Sequence, residues 1–392
     1  MKLLVGFISL LLSFEAFSAH PPNYLKSTET RTTGSPRIKI KLNLNSAVIK
    51  LDSDKDIILN RKNKIKKFTA GTQIKIKCKK FSKELGKEDL FAEILSDNGI
   101  VHVNADTYRG KIKVYKDHLK KKCFVVGDMD IEDYVQSILP REMNASWPIE
   151  ALKAQAIASR TYALHRLIKF KSKNPNVVYH LENSEKDQVT GSLKDWNKKT
   201  TKAIQETRGK VLVNRNKELV PAFFHAKCGG GTLVPGDVWM NTYQSYKRVP
   251  DPYCDGAGRP NWKYEVKGQK FEKFLSWYFR KKRGMKGIPG KSVLIANDST
   301  GNPYLNLYIN RKTYLVPKSS FRRYFGRFKF QSNHFRVMKS GAGNFIVYGK
   351  GHGHGVGMCQ IGSLVMSKQG RPYDGILRHY FPNLNIVSYL KR

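Results

Sequence analysis

The sequence predicts an α+β protein. Strand patterns crowd its first third, and two consecutive helices of unequal character follow. From Arg37 to Val126, runs such as IKIKLNL, AVIKLD, TQIKIKCKK, IVHVNA, GKIKVYK and CFVVGD alternate apolar with polar residues. Such runs form half-buried antiparallel strands, here with lysine on the wet face. The stretch 131–164 then reads as helix, turn, helix. Ile131, Val135 and Ile138 recur at helical spacing, and Pro140 is expected to stop that helix. Ser146 is placed to cap the second helix. Pro148 and Glu150 fall in its first turn, where a missing donor and a negative charge are both tolerated.

Between the helices stands Arg141-Glu142-Met143, with Trp147 close behind. A carboxyl lined by Met, Trp and Pro is expected to be partly buried. Burial raises its pKa and keeps it protonated, as a general acid requires. The glutamate that lysozyme holds against a tryptophan follows the same logic. From Ala154 to Leu164 the only charged residue is Arg160, in a run of small and apolar residues, so it is expected to be buried and paired. Taken alone, Arg160 reads as half of a structural salt bridge and Glu142 as a surface glutamate.

The string LPREM-x-x-SWPIEALKAQAIASRTYAL changes that balance, because it resembles the signature of the SpoIID family, exported proteins that act on bacterial peptidoglycan. The resemblance implies a SpoIID-like catalytic domain preceded by a β-rich module. It implies that Glu142 is the catalytic acid of a lytic transglycosylase and that Arg160 lies in the substrate cleft. Two later blocks carry the likeness further: PAFFHAKCGGGT, running on to VPDPYC, and GKGHGHGVGMCQIGSLVMSKQG, followed by YDGILRHYFPN. By resemblance, His225 ends a strand along the groove, and Gly229 and Gly230 let backbone approach a sugar. His352, His354 and Gln360 orient it from a loop that closes one wall. Tyr246 and Lys247 are further candidates for substrate binding, in a loop that departs from the family's usual Pro-Tyr-Leu. The alternating glycines of 349–357 are not a dinucleotide fingerprint, since no βαβ unit accompanies them.

The organisation expected is a signal peptide over 1–18, a disordered leader over 19–35, a β-rich module over 36–127 and a SpoIID-like catalytic region over 128–392. Lys2, an apolar run to Phe14 and Ala16-Phe17-Ser18 are the parts of a cleaved export signal, and no later run is apolar enough for a transmembrane segment. The chain carries 71 Lys plus Arg against 31 Asp plus Glu, a formal +40. That field favours polyanionic surroundings. Export points it toward the carboxylates and phosphates of the periplasm or outer envelope, and no nucleic-acid motif stands beside it. In an oxidising compartment five cysteines allow two bridges and one free thiol. Cys228 with Cys254 and Cys78 with Cys123 are the expected disulfides. No CxxC or HExxH occurs. The stretch YHLENSEKDQVTG has His180 but no cysteine where some relatives hold zinc, so no metal and no other cofactor is expected. Residues 255–344 suggest no chemistry.

Hydrolysis of a glycosidic bond generally needs two carboxylates, and the signature turn offers one. A single acid suits a lytic transglycosylase acting on peptidoglycan glycan strands, with an amidase or deacetylase working upstream. A lysozyme-type muramidase and a non-catalytic, wall-binding amidase enhancer are the alternatives.

Overall fold

The computed structural model describes residues 35–44, 48–79, 81, 88–174, 176–184, 187–188, 190–239, 242–255, 261–290, 293–295 and 301–390. The signal segment and the leader up to residue 34 lie outside the described residues. The alternating runs become strands β1 (Arg37–Leu42), β2 (Val48–Asp52), β3 (Ile57–Arg61), β4 (Lys64–Phe68), β5 (Ile74–Lys77), β6 (Glu88–Ser96), β7 (Ile100–Val103), β8 (Asp106–Arg109), β9 (Lys111–Asp117) and β10 (Lys122–Asp130). They form two sheets, one in the order β1-β10-β9-β6-β3-β4 and a smaller one in the order β5-β2-β7-β8. Ile38, Ile40, Ile94, Ile112 and Val114 of the larger sheet share one core with Ile49, Leu51, Val101 and Val103 of the smaller. Cys78 is disulfide-bonded to Cys123 beneath this layer.

Strand β10 runs directly into helix α1 (Ile131–Glu142), whose N-cap is Asp130: its carboxylate accepts from the Glu132 N–H at 2.7 Å. The helix does not stop at Pro140 but continues to Glu142, because only one intrahelical donor is lost there and the end is already near. Helix α2 (Ile149–Lys173) follows. Its N-cap is Pro148 and carries no side-chain cap, so Ser146 does not take that role. The turn is held instead by Asn144, whose side chain accepts from the Ser146 N–H at 2.9 Å. The small-residue run makes α2 the central rod of the molecule: Ala154, Ala156, Ile157, Ala158 and Ala163 are fully buried. The rod packs against α1, α3 (Lys198–Glu206), β12 (Lys210–Val213), α7 (Gln360–Lys368) and α8 (Tyr373–Tyr380). A short strand between α2 and α3, β11 (Leu181–Glu182), joins the edge of the large sheet beside β1. The helices and the β-rich part therefore share a core; Ile38 and Ile131 belong to the same cluster.

Beyond β13 (Phe224–His225) and α4 (Pro235–Val238), residues 262–347 build a second core of their own. It contains β14 (Trp262–Val266), α5 (Gly268–Arg283), β15 (Val293–Ile295), β16 (Tyr304–Ile309), β17 (Lys312–Pro317), α6 (Lys318–Phe325), β18 (Phe335–Lys339) and β19 (Phe345–Gly349). The basic and aromatic residues interleaved in this stretch separate by side. Phe271, Phe274, Phe321 and Phe335 are fully buried, so these rings fill a core rather than offer a stacking surface. The chain then returns to the first core through β20 (Met358–Cys359), parallel to β13, and β21 (Asn385–Ser388), antiparallel to β12.

Candidate active site

Glu142 is the last residue of α1 and half-buried. Its neighbours are fixed away from it. Arg141 turns to Asp195, with its Nε and one terminal nitrogen each 2.9 Å from Oδ2, and Met143 is buried in the core. Gln360, at the start of α7, donates to the Glu142 backbone carbonyl at 3.2 Å and to the Gln155 side chain of α2 at 3.3 Å. One amide thus ties the end of α1, the middle of α2 and the glycine loop together. Gln360 is itself buried, which makes it a positioning group rather than a residue facing a ligand.

Two histidines stand on the loop side. His225 donates from Nδ1 to the Val356 carbonyl at 3.1 Å, since a carbonyl can only accept. Its Nε2 is then an acceptor, buried and with no hydrogen-bond partner among the described residues. Burial lowers the pKa of this ring to about 4, so it is neutral at physiological pH. His354 accepts from the Val356 N–H at Nδ1, 3.0 Å away, and burial likewise holds it neutral. The two rings lie 5.6 Å apart, and His354 continues into an aromatic group with Trp239 at 5.0 Å, Trp239 in turn 4.8 Å from Phe223. The glycines are what bring the loop in. A Cβ on Gly357 would collide with the Phe223 carbonyl, and one on Gly353 would come within 2.9 Å of the His225 Cβ.

Other expected groups have different places. Arg160 is completely buried. Its Nε and one terminal nitrogen grip both carboxylate oxygens of Glu132 at 2.9 and 2.7 Å, and the other terminal nitrogen reaches the Lys210 carbonyl at 3.1 Å. Glu132 also receives the Gly209 N–H and the Tyr389 hydroxyl. Arg160 is thus half of a sealed ion pair and has no surface facing a groove; the salt-bridge reading describes it, the cleft reading does not. Tyr246 is buried too, its hydroxyl donating to the Pro221 carbonyl and accepting from the Phe223 N–H at 3.0 Å. It pins the strand that carries His225 instead of meeting substrate. Lys247 is exposed, and His352 is joined to Lys227 by paired backbone hydrogen bonds. Gly229 and Gly230, both at positive φ, wrap the Cys228 sulfur and the neighbouring loop at Lys350.

Cys228 and Cys254 do not form the expected disulfide. Both are free thiols, and so is Cys359. Together with Asp251 they converge on one buried point, which the sequence reading missed because Asp251 looked like an ordinary turn residue and Cys359 lies 131 positions after Cys228. A second omission is Asp187. Its Oδ1 accepts from Tyr162 at 2.9 Å and pairs with Arg166 at 3.1 Å, while its Oδ2 accepts from the Glu182 N–H at 2.9 Å. It lies beside Tyr134, whose surroundings also include Glu142. With Tyr162 and Arg166 it lines a recess of about 540 Å³.

Residues 119–214, which carry Glu142 and Arg160, match the SpoIID family, described as Stage II sporulation protein. The chain is 32% identical to an uncharacterized protein of Brachyspira hyodysenteriae, over 68% of each chain. It is 27% identical to Stage II sporulation protein D of Bacillus subtilis, over 67% of this chain and 75% of that one. The Amidase enhancer of Bacillus subtilis is also 27% identical, but the match spans 65% of this chain and only 40% of that longer protein. With the helical signature tied through Gln360 to the segment that follows the glycine loop, and that segment paired with the strand that ends in His225, and with these relatives, the chain belongs to the SpoIID family.

Proposed function

We propose that the chain is an exported lytic transglycosylase that cleaves peptidoglycan between muramic acid and glucosamine, N-acetylated or not. The observation that carries this is the placement of Glu142. It is a half-buried carboxyl at the end of α1, where the family signature is tied through Gln360 to the glycine loop; Asp187 and Glu132 are each held by an arginine, Arg166 and Arg160. One-acid chemistry follows. The Glu142 carboxyl gives its proton to the leaving glycosidic oxygen, and the resulting carboxylate takes the proton of the muramic 6-hydroxyl as that oxygen closes on C1. The product is an anhydro sugar and no water enters. The aromatic group around Trp239 suits the apolar face of a sugar ring, and His225 Nε2 offers a hydroxyl an acceptor.

The test is digestion of purified peptidoglycan, acetylated, de-N-acetylated and peptide-stripped, by wild type and Glu142→Gln, with products read by mass. Anhydro-muropeptides from wild type alone are expected. Reducing-end products would assign a muramidase. Absence of product with wall binding intact in both proteins would favour the non-catalytic alternative; one relative is named Amidase enhancer. No described helix is long and apolar enough to cross a membrane.

A further inference from the structure

Four side chains that the proposed chemistry does not use, Cys228, Asp251, Cys254 and Cys359, have ligand atoms that all lie within 4.8 Å of one another, and all four residues are buried. Tetrahedral zinc with sulfur at about 2.3 Å sets its ligands roughly 3.8 Å apart, so the group needs only a small contraction to close on an ion. We infer that these residues form a structural zinc site.

The surroundings are those of a metal centre. The sulfurs accept backbone N–H groups: Cys228 from Gly230 at 3.4 Å, Cys254 from Gly229 at 3.5 Å, and Cys359 from Cys228 and Gly362, both at 3.3 Å. Donors of this kind offset the charge of buried thiolates, which would otherwise be costly. Asp251 is oriented from outside by the Tyr380 hydroxyl at 2.8 Å on Oδ2 and the Cys254 N–H at 3.1 Å on Oδ1. Its contact with the Cys228 thiol, 3.2 Å, is what two ligands make when a proton stands between them in place of a cation. Gly362 leaves the space: a Cβ there would meet Asp251 Oδ2 at 2.5 Å and collide with the Tyr380 hydroxyl.

Binding replaces three S–H bonds by three metal–sulfur bonds and adds one metal–oxygen bond from Asp251, with three protons released to solvent. Three thiolates and one carboxylate select a soft divalent ion with tetrahedral preference, which is zinc; calcium and magnesium demand oxygen. With four protein ligands and no exposed face the site is closed, as structural zinc sites are. Its effect is positional. Cys228 follows the β13 strand that carries His225, and Cys359 directly precedes Gln360, so the ion would lock both sides of the glycine loop to the 251–254 turn. This inference stands independently of the transglycosylase reading.

The experiment is metal analysis of the full chain purified without chelators, with cobalt(II) reconstitution. One zinc per chain is expected, released by a thiol-reactive mercurial and lost in Cys254→Ser and Asp251→Asn. Because these variants can fail to fold, the wild type carries the deciding measurement. Cobalt should give the intense visible bands of a tetrahedral site together with near-ultraviolet sulfur charge transfer. A folded wild type holding substoichiometric metal and no cobalt spectrum would overturn the site, as would peptide mapping that finds Cys228 bonded to Cys254. Both results can be read whether or not the protein cleaves peptidoglycan.

Discussion

The two ends of α1 carry a glutamate each, with opposite fates. Glu132, in the first turn, sits where the helix dipole favours negative charge, and it is gripped by Arg160, Gly209 and Tyr389. Glu142, in the last turn, sits where that field disfavours charge and where the chain opens toward the glycine loop. One acid holds the fold; the other is half-buried at the place proposed for chemistry. Residue type alone would have ranked them equally; the buried Arg160 is what singles out Glu132.

The sharpest way to break this comparison is to remove each acid's function in turn. Glu142→Gln should leave the thermal midpoint within a degree or two while lowering the release of anhydro-muropeptides by about 10²–10⁴-fold, the worth of a general acid. Arg160→Met should do the reverse. It strands Glu132 in the core, and removing one partner of a buried pair costs about 3–5 kcal/mol by denaturant titration. Adding Glu132→Gln to Arg160→Met should recover a large part of that loss, because the uncompensated charge is gone; no recovery would mean that the pair acts through packing. Gln360→Leu probes the seam between the two ends. Loss of its hydrogen bonds to the Glu142 carbonyl and to Gln155 should cost about 1–3 kcal/mol of stability, with a larger fall in turnover than in wall binding.

A further effect concerns pH. His180 is buried, accepts the Lys39 N–H at Nδ1, and burial lowers its pKa to about 4. The unfolded chain protonates such a ring near pH 6.5 and the folded one does not. Stability should therefore fall as pH drops from about 6.5 to 4 and flatten below that. His180→Gln should reduce the slope of the urea midpoint in that window. An unchanged slope would assign it to His165 and His225, which burial also lowers to about 4.

The sequence revealed most where local pattern and tertiary need coincide. The alternating lysine strands and the small-residue helix around Arg160 appear as read, because burial leaves a trace in the local pattern. It also marked Glu142, though the residue ends a helix instead of occupying a turn. What stayed hidden depends on residues distant in sequence. Arg160 was expected to be buried, yet its partner Glu132 looked like an ordinary first-turn acid. Cys254 was assigned to Cys228 as a disulfide; the fold leaves both thiols free and adds Asp251 and Cys359 to the same point. Tyr246 seemed available until the Pro221 carbonyl and Phe223 N–H claimed its hydroxyl. The second core was illegible for another reason. Its phenylalanines alternate with arginines and lysines in a way that fits a binding surface equally well.

The closing strand β21 bears on how the molecule comes into being. Val387 pairs with Val211, and Tyr389 completes the polar shell around Glu132. Met358, likewise, must find Phe224 across the whole second core. The central helix therefore cannot be sealed before residues near position 390 have been made. Contacts so distant in sequence slow folding, because loop closure is paid before they form. If the chain is exported as proposed, it would cross the membrane as a loose β-rich segment with its helical half unfinished. Glu142 would take up its place beside the glycine loop only on the far side.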